Sequence, residues 1–261
     1  MHSDINLRLI DMSDTIRIVC LSDTHNLTDR PDFPSIPDGD ILIHTGDFTI
    51  CGKTEDVIKF NEWLGTLPHE YKVVIAGNHE KTFDPKTENN DSEKALKIKR
   101  LLTNCIYLEE TSVFIKGIKF YGNFTSFSGR LKNELRIVSE IGSPFTRKVN
   151  GSTAGFQLGS KSLEDKWSQI PSDTDILMTH GPPFGFGDLT ANGNQGCKIL
   201  LKEITERIKP KLHVFGHIHE DTGLHTDGTT LFANGAICNT PRDLPCKQPI
   251  VIDFKRDLLY S

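Results

Sequence analysis

Apolar residues in this chain gather into short runs, and each run stops at a polar, chemistry-bearing side chain. The runs are IRIVCL, ILIHT, KVVIA, DILMT and KLHVF. Their length is that of a strand. Between them the period changes to that of a helix. Thr54 as N-cap, with Glu55 and Asp56 in the first turn, predicts a helix bearing Val57, Phe60 and Leu64 on one side and ending at Gly65, before Leu67. Ala95, Ile98 and Leu102 predict a second helix over 92–102, and Leu163, Trp167 and Ile170 a third. Leu200, Leu201, Ile204 and Ile208 predict a fourth over 197–208. SVFIKGIKFY at 112–121 reads as two strands about a Lys-Gly turn, and strands return at 229–233 and 249–254. Alternating strands and helices predict an α/β fold.

Two stretches stand outside that alternation. Residues 1–15 hold no continuous apolar segment and read as a tail ahead of a single domain over 16–261. Segment 123–159 is rich in Ser, Gly, Asn and charge, with only 134–141 suited to a short element. An insertion this long is either functional or disordered. It enters between the hairpin and the third helix, where it could cover a site; a mobile surface loop is the alternative.

Composition narrows the partners. The formal net charge is −5 with no long basic block, which argues against a nucleic-acid polymer as partner. No apolar stretch approaches the roughly 20 residues that cross a bilayer, and the first residues do not read as a signal peptide. Six cysteines lack CxxC spacing and read as reduced thiols, so a cytoplasmic protein away from membranes is expected.

The polar residues that end the runs carry the chemistry. They are Asp23-Thr-His25, Gly46-Asp47, Gly77-Asn78-His79-Glu80, His180 and Gly216-His217-Ile-His219. Singly each is weak, since Gly-Asn also makes turns and a lone histidine is more often a hydrogen-bonded core residue. Jointly they place metal-type donors at strand ends along one sheet edge, where open α/β folds bind ligands. Asp23, His25, Asp47, Asn78, His180, His217 and His219 are too many donors for one tetrahedral ion, so two divalent ions are expected. If Asp47 bridges, Asp23, His25 and His219 fall to one ion and Asn78, His180 and His217 to the other. Mixed nitrogen and oxygen donors favour Mn²⁺, with Fe²⁺, Zn²⁺ or Co²⁺ also compatible, over an all-oxygen Ca²⁺ or Mg²⁺ cage.

Charge then selects the substrate. Two divalent ions outweigh the carboxylates of Asp23 and Asp47 and a bridging hydroxide, leaving a cationic site suited to an anionic phosphate. His79 is left over as a general acid for the leaving oxygen, or else as a hydrogen-bonding residue that orients a ligand. Asn78, His79 and His217 are the expected substrate contacts. Phe184, after the rigid Gly181-Pro-Pro turn, could stack on a base; a core aromatic is the other reading. His44 and His213 read as core or supporting histidines, His213 bonded to backbone. Glu80 would pair with a ligand imidazole or cap the following segment.

These residues, in this order and approximate spacing, resemble the calcineurin-like metallophosphoesterase superfamily over most of the chain. The resemblance implies a four-layer α/β/β/α sandwich of two mixed sheets, a dinuclear site at the loops, and the ligand division and acid role given above. Longer strings, including GDILIHTGDFT, FNEWLGTLP, YKVVIAGNHE and RIKPKLHVFGHIHE, resemble the metallophosphoesterase-domain-containing (fetal brain protein type) subfamily. That subfamily is associated with metal-dependent cleavage of cyclic nucleotides. One of its branches has Gly at the position of His217 and is a poor enzyme that binds nucleotide, so His217 here implies an active site. Two departures stand out: NFTSFSGRLKNEL replaces a Trp- and Pro-rich segment, and Phe-Thr-Ile-Cys after Asp47 lacks the phosphate-binding Arg of protein phosphatases. The expected activity is hydrolysis of a small phosphodiester such as a cyclic nucleotide, by in-line attack of a metal-bridging hydroxide with His79 as acid. Phosphomonoester hydrolysis is the alternative reaction, and a nucleotide-binding or scaffold protein the non-enzymatic one.

Overall fold

The apolar runs become the inner strands of two mixed sheets. A computed structural model describes residues 15–87, 90–123, 136–138, 146–147, 155–158, 160–239 and 246–255. In chain order the elements are β1 (Thr15–Leu21), β2 (Ile41–His44), α1 (Thr54–Thr66), β3 (Tyr71–Val74), α2 (Ser92–Lys99), β4 (Ile106–Tyr107), β5 (Glu110–Ile115), β6 (Ile118–Asn123) and β7 (Arg136–Val138). There follow β8 (Thr146–Arg147), β9 (Gln157–Leu158), α3 (Ser160–Trp167), β10 (Ile176–Met178), β11 (Leu189–Thr190), β12 (Gly193–Asn194), α4 (Lys198–Lys202), β13 (Leu212–Phe215), β14 (Gly223–Thr226), β15 (Leu231–Asn234) and β16 (Ile250–Lys255). One sheet has the order β16-β1-β2-β3-β4 and the other β14-β15-β13-β10-β6-β5-β7. The central pairs β1–β2, β2–β3, β6–β10, β10–β13 and β13–β15 are all parallel. Their carboxyl ends therefore face the same way within each sheet.

Burial explains why the runs are apolar throughout. Ile18, Cys20, Ile41, Ile43 and Val73 of the first sheet pack against Val113, Phe120, Ile176, Met178 and Val214 of the second in one cluster. The alternate residues Leu21, Leu42 and Val74 turn outward, onto Val57, Phe60 and Leu64 of α1. On the far side Tyr121, Leu177, Phe215 and Phe232 turn outward onto Leu163 and Trp167 of α3 and onto Leu200 and Ile204. Three apolar layers between four layers of secondary structure make the α/β/β/α sandwich. Each inner strand is covered on both faces.

Local boundaries differ from the sequence expectation for identifiable reasons. Lys53, not Thr54, caps α1, without a side-chain bond, and the helix runs through Gly65 to Thr66. Packing of Val57, Phe60 and Leu64 outweighs the glycine there. Asp91 caps α2 by accepting from the Lys94 amide, and the helix ends at Lys99 rather than at 102. Ile170 lies beyond the end of α3. The helix expected over 197–208 is α only to Lys202 and continues as a π-helical turn, Glu203–Ile208, closed by left-handed Lys209. β7 falls within the element expected at 134–141 and joins the edge of the second sheet. The tail at 1–14 and most of the 123–159 insertion lie outside the described residues.

His213 shows what the core does to a titratable group. It is fully buried in β13, and its Nε2 pairs with the Thr179 hydroxyl at 2.8 Å, where backbone was expected. Burial pushes its pKa down to about 3. An unfolded chain takes up this proton near pH 6.5, and the folded one does not until about 3, so stability falls as pH drops through that window. Each pH unit is worth up to about 1.4 kcal/mol. The Tm of wild type should therefore fall more steeply between pH 6.5 and 4 than that of His213→Leu. Equal slopes in thermal scans would refute the assignment.

Candidate metal centre

The donors expected along one sheet edge in fact come from two sheets. β1, β2 and β3 deliver Asp23, His25, Asp47 and Asn78 from the first, and β10 and β13 deliver His180, His217 and His219 from the second. The sheets are stitched where the donors emerge. Ser22 pairs with Ala236 across them, donating to Gly235 O at 2.8 Å and accepting from the Ile237 amide at 3.1 Å. Within the first sheet the Asp23 amide donates to Gly46 O and the His25 amide to Asp47 O, both at 3.0 Å.

Three overlapping groups of donor atoms result, each lying within 4.8 Å of one another: Asp23, His25, His219; His25, Asp47, His79; and Asp47, His180, His217. His25 and Asp47 are each shared by two groups. Asn78 closes the arrangement, its Oδ1 lying 3.0 Å from His180 Nε2. Asp23, His25, Asp47 and His217 all have left-handed backbone, with φ of 57°, 41°, 54° and 70°. Such strain in non-glycine residues costs of order 1–3 kcal/mol each and clusters at functional sites.

The imidazoles are oriented from behind. His25 Nδ1 lies 3.3 Å from Thr49 O, His79 Nδ1 2.7 Å from Ile50 O, and His180 Nδ1 2.8 Å from Thr45 O. A carbonyl can only accept, so each Nδ1 carries the proton and each Nε2 is turned toward the carboxylates. His180 Nε2 is 3.3 Å and His25 Nε2 3.9 Å from Asp47 Oδ2, while His219 Nε2 is 3.2 Å from Asp23 Oδ1. This tautomer fixing, with two buried carboxylates between the rings, is the arrangement that divalent ions require. The residues fit.

Electrostatics agree. Burial alone would raise the pKa of Asp23, but hydrogen bonding to His219 and the charges of His180, His219 and His25 hold it well below the usual range. Asp47 is likewise depressed, burial being overcome by His180. His180 rises to about 10 because Asp47 outweighs the effect of burial. Burial, with His180 adding to it, pushes His217 down to about 4. A divalent cation would take the place of the proton that His180 shares with Asp47.

Several supporting residues carry this geometry. Glu80 is fully buried and, among the described residues, pairs with no imidazole; nor does its side chain cap the following turn. Instead its Oε2 accepts from the Asp47 and Gly77 amides, both at 2.8 Å, and its Oε1 from the amide and hydroxyl of Thr49 at 2.9 and 2.8 Å. Burial, then the Asp47 carboxylate, push its pKa up to about 8. The three amides and the Thr49 hydroxyl pull the other way. His44 accepts from the Gly46 amide and bonds Thr24 Oγ1, steadying two donor loops at once. Two glycines are obligatory by space: a Cβ at Gly77 would stand 2.2 Å from Asp47 Oδ1, and one at Gly216 2.2 Å from Asp23 Oδ2.

Two further residues escaped sequence reasoning. Asn234, fully buried, has Nδ2 2.8 Å from Ile218 O, between His217 and His219, and 2.8 Å from Gly187 O. It ends the run LFAN, so the strand-end rule that found the other donors would have found it. Lys247 donates to the His219 carbonyl through Nζ. No local signal marks it, because it arrives from a distant part of the chain. Phe184 belongs to neither a core cluster nor a donor group. It lines a separate cavity of about 340 Å³.

The profile of the calcineurin-like phosphoesterase family matches residues 16–221. The chain belongs to that family. Metallophosphoesterase domain-containing protein 1 of Homo sapiens is 43% identical over 256 residues, spanning 91% of this chain and 71% of the human protein. A UPF0046 protein of Caenorhabditis elegans is 42% identical over 236 residues, spanning 86% and 76% of the two chains. A solved structure at 13% identity superposes with a TM-score of 0.61 over 92% of this chain and 95% of that one, a likeness of fold alone. Family membership and the histidine–aspartate groups together make the chain a phosphoesterase, a hydrolase with divalent metal ions. No helix among the described residues is long and apolar enough to cross a membrane.

Proposed function

We propose that this phosphoesterase uses two divalent ions to hydrolyse small phosphodiesters, cyclic nucleotides among them. Asp23, His25 and His219 would hold one ion, Asn78, His180 and His217 the other, with Asp47 between. The observation that carries the reading is the overlap of donor groups through Asp47. Mixed imidazole and oxygen donors favour Mn²⁺, with Fe²⁺, Zn²⁺ or Co²⁺ as alternatives. When bound, such ions polarise phosphoryl oxygens and lower the pKa of water.

The chain's own residues supply the rest. His79 is more open than His25, His180 and His219: its side chain is 29% exposed, whereas theirs are 12% or less. Its amide donates to Asp47 Oδ1 at 2.8 Å and its Nδ1–H to Ile50 O, so the ring is clamped with Nε2 3.9 Å from Asp47 Oδ2. A proton on that Nε2 can pass to the leaving oxygen as the phosphorus–oxygen bond breaks and water oxygen bonds to phosphorus. Asn78 and His217 flank the same face and would contact the phosphate. The free cysteines accord with a cytoplasmic location.

The test is hydrolysis of 2′,3′-cyclic AMP and of AMP with added Mn²⁺, by wild type and His79→Gln. The diester should be preferred in kcat/KM. The variant should lose about 10²- to 10⁴-fold in kcat while keeping its metal content. Equal rates at equal metal content would remove His79 from the acid role, and preference for AMP would make the protein a phosphomonoesterase.

A further inference from the structure

We propose that the cavity beside Phe184 is the subsite that binds the base of the nucleotide, an inference that rests on the phosphodiesterase reading above. Its volume, about 340 Å³, lies within the range of small-molecule pockets. Leu163 gives an apolar surface, Phe184 an aromatic one, and Asn194, Gln195 and Lys198 a polar rim. Phe184 is half-buried, with the Lys198 ammonium 4.6 Å from its ring centroid. A nucleobase needs this combination: a flat π-surface to stack on, and donors and acceptors in reach of its edge.

The polar rim is committed on one side only. Asn194 Nδ2 donates to Asp188 Oδ1 at 2.6 Å, and Gln195 Nε2 to Asn192 O and Gly193 O at 3.2 Å. Both Gln195 N–H groups and one of Asn194 are thus used within the loop, and the carboxamide oxygens accept from none of the described residues, which leaves them for a base amino group. Lys198 supplies the complementary donor for a ring nitrogen or carbonyl.

The wall is preorganised. Asp188 is fully buried and accepts from the Gly185 and Gly196 amides as well as from Asn194, so its charge is satisfied inside the loop. The Phe184 amide donates to Cys197 O at 3.2 Å and the Cys197 amide to Pro182 O at 3.0 Å. Gly196 lets the two segments touch, since a Cβ there would stand 2.2 Å from Pro183 O. Beneath them Phe186 stacks on Phe232 with ring centroids 4.2 Å apart.

The same loop is tied to the proposed metal donors at its start and near its middle. It begins at His180, and four residues of chain put the Phe184 Cα at most about 14 Å from the His180 Cα. Through Asn234 it shares a hydrogen-bonding partner with Ile218, which separates His217 from His219. A phosphate held at the donors and a base held on Phe184 would therefore rest on one hydrogen-bonded unit.

Calorimetric titration of the Mn²⁺-loaded full chain with AMP and with ribose 5-phosphate separates base from phosphate binding. Phe184→Ala should weaken AMP about tenfold or more, the range expected for loss of one base stack, and change ribose 5-phosphate affinity less than about twofold. Phe184→Tyr should restore AMP binding. Azidoadenosine monophosphate should photolabel the peptide spanning 184–198. If Phe184→Ala weakens both ligands equally or neither, or if the label falls elsewhere, the base subsite is refuted while the phosphoesterase reading stands. If wild type binds neither ligand, both are refuted.

Discussion

Asp47→Asn should cost this phosphoesterase at least about a hundredfold in turnover, beyond what loss of a merely supporting residue usually costs. The protein should also lose the capacity to hold two metal ions together. The reason is position. Asp47 Oδ1 accepts from the His79 amide, and Asp47 Oδ2 is within 3.9 Å of Nε2 of His25, His79 and His180. An asparagine that keeps its oxygen on the His79 amide must present an NH₂ to three imidazoles, and an amide nitrogen has no lone pair for a cation. Metal content by mass spectrometry, measured beside kcat for a cyclic diester, checks this. A variant that retained two ions per chain and near wild-type turnover would show that Asp47 is not the shared donor.

Glu80→Gln should be the most damaging change outside the donors. Both carboxylate oxygens accept two bonds, from Asp47, Gly77 and twice from Thr49. The substituted amide nitrogen would face two backbone N–H groups on the Oε2 side or the Thr49 amide on the Oε1 side, leaving one or two buried donors unpaired at about 1–3 kcal/mol each. At this chain length each kcal/mol moves Tm by about 2–4 °C, so a fall of roughly 10 °C is expected, with metal affinity falling alongside. Thr49→Ala, which removes only the hydroxyl donor, should cost far less. A Glu80→Gln variant melting within about 2 °C of wild type would overturn this account.

The two predictions differ in how visible their residues are in one dimension. Asp47 is legible because it ends the run ILIHT, and a parallel strand must present its carboxyl end at the ligand edge. The same rule finds Asp23, His25, Asn78, His180, His217 and His219. The strands are legible as well, from runs of strand length alternating with helical period, whereas the layers above and below each sheet are implied only by the family resemblance. Glu80 is visible as a residue but not as a role. Its partners lie up to 33 positions away, and only the folded backbone brings three N–H groups to one carboxylate.

What the chain determined by itself, then, is the α/β alternation and the strand-end positions of the candidate donors, because both follow from local hydrophobic period; the α/β/β/α layering is implied by family resemblance and not by that period. Tertiary structure alone decided that the donors come from two sheets rather than one edge, since pairing partners are set by packing between distant segments. It alone made Glu80, Asn234 and Lys247 supports of the donor loops. It also took Phe184 out of the core and set it on a cavity wall, because the loop after His180 folds around the buried Asp188 and sends Phe186, not Phe184, onto Phe232 of the second sheet. Side-chain identity names the chemistry a residue can do; the neighbours that long-range folding supplies determine which of it is done.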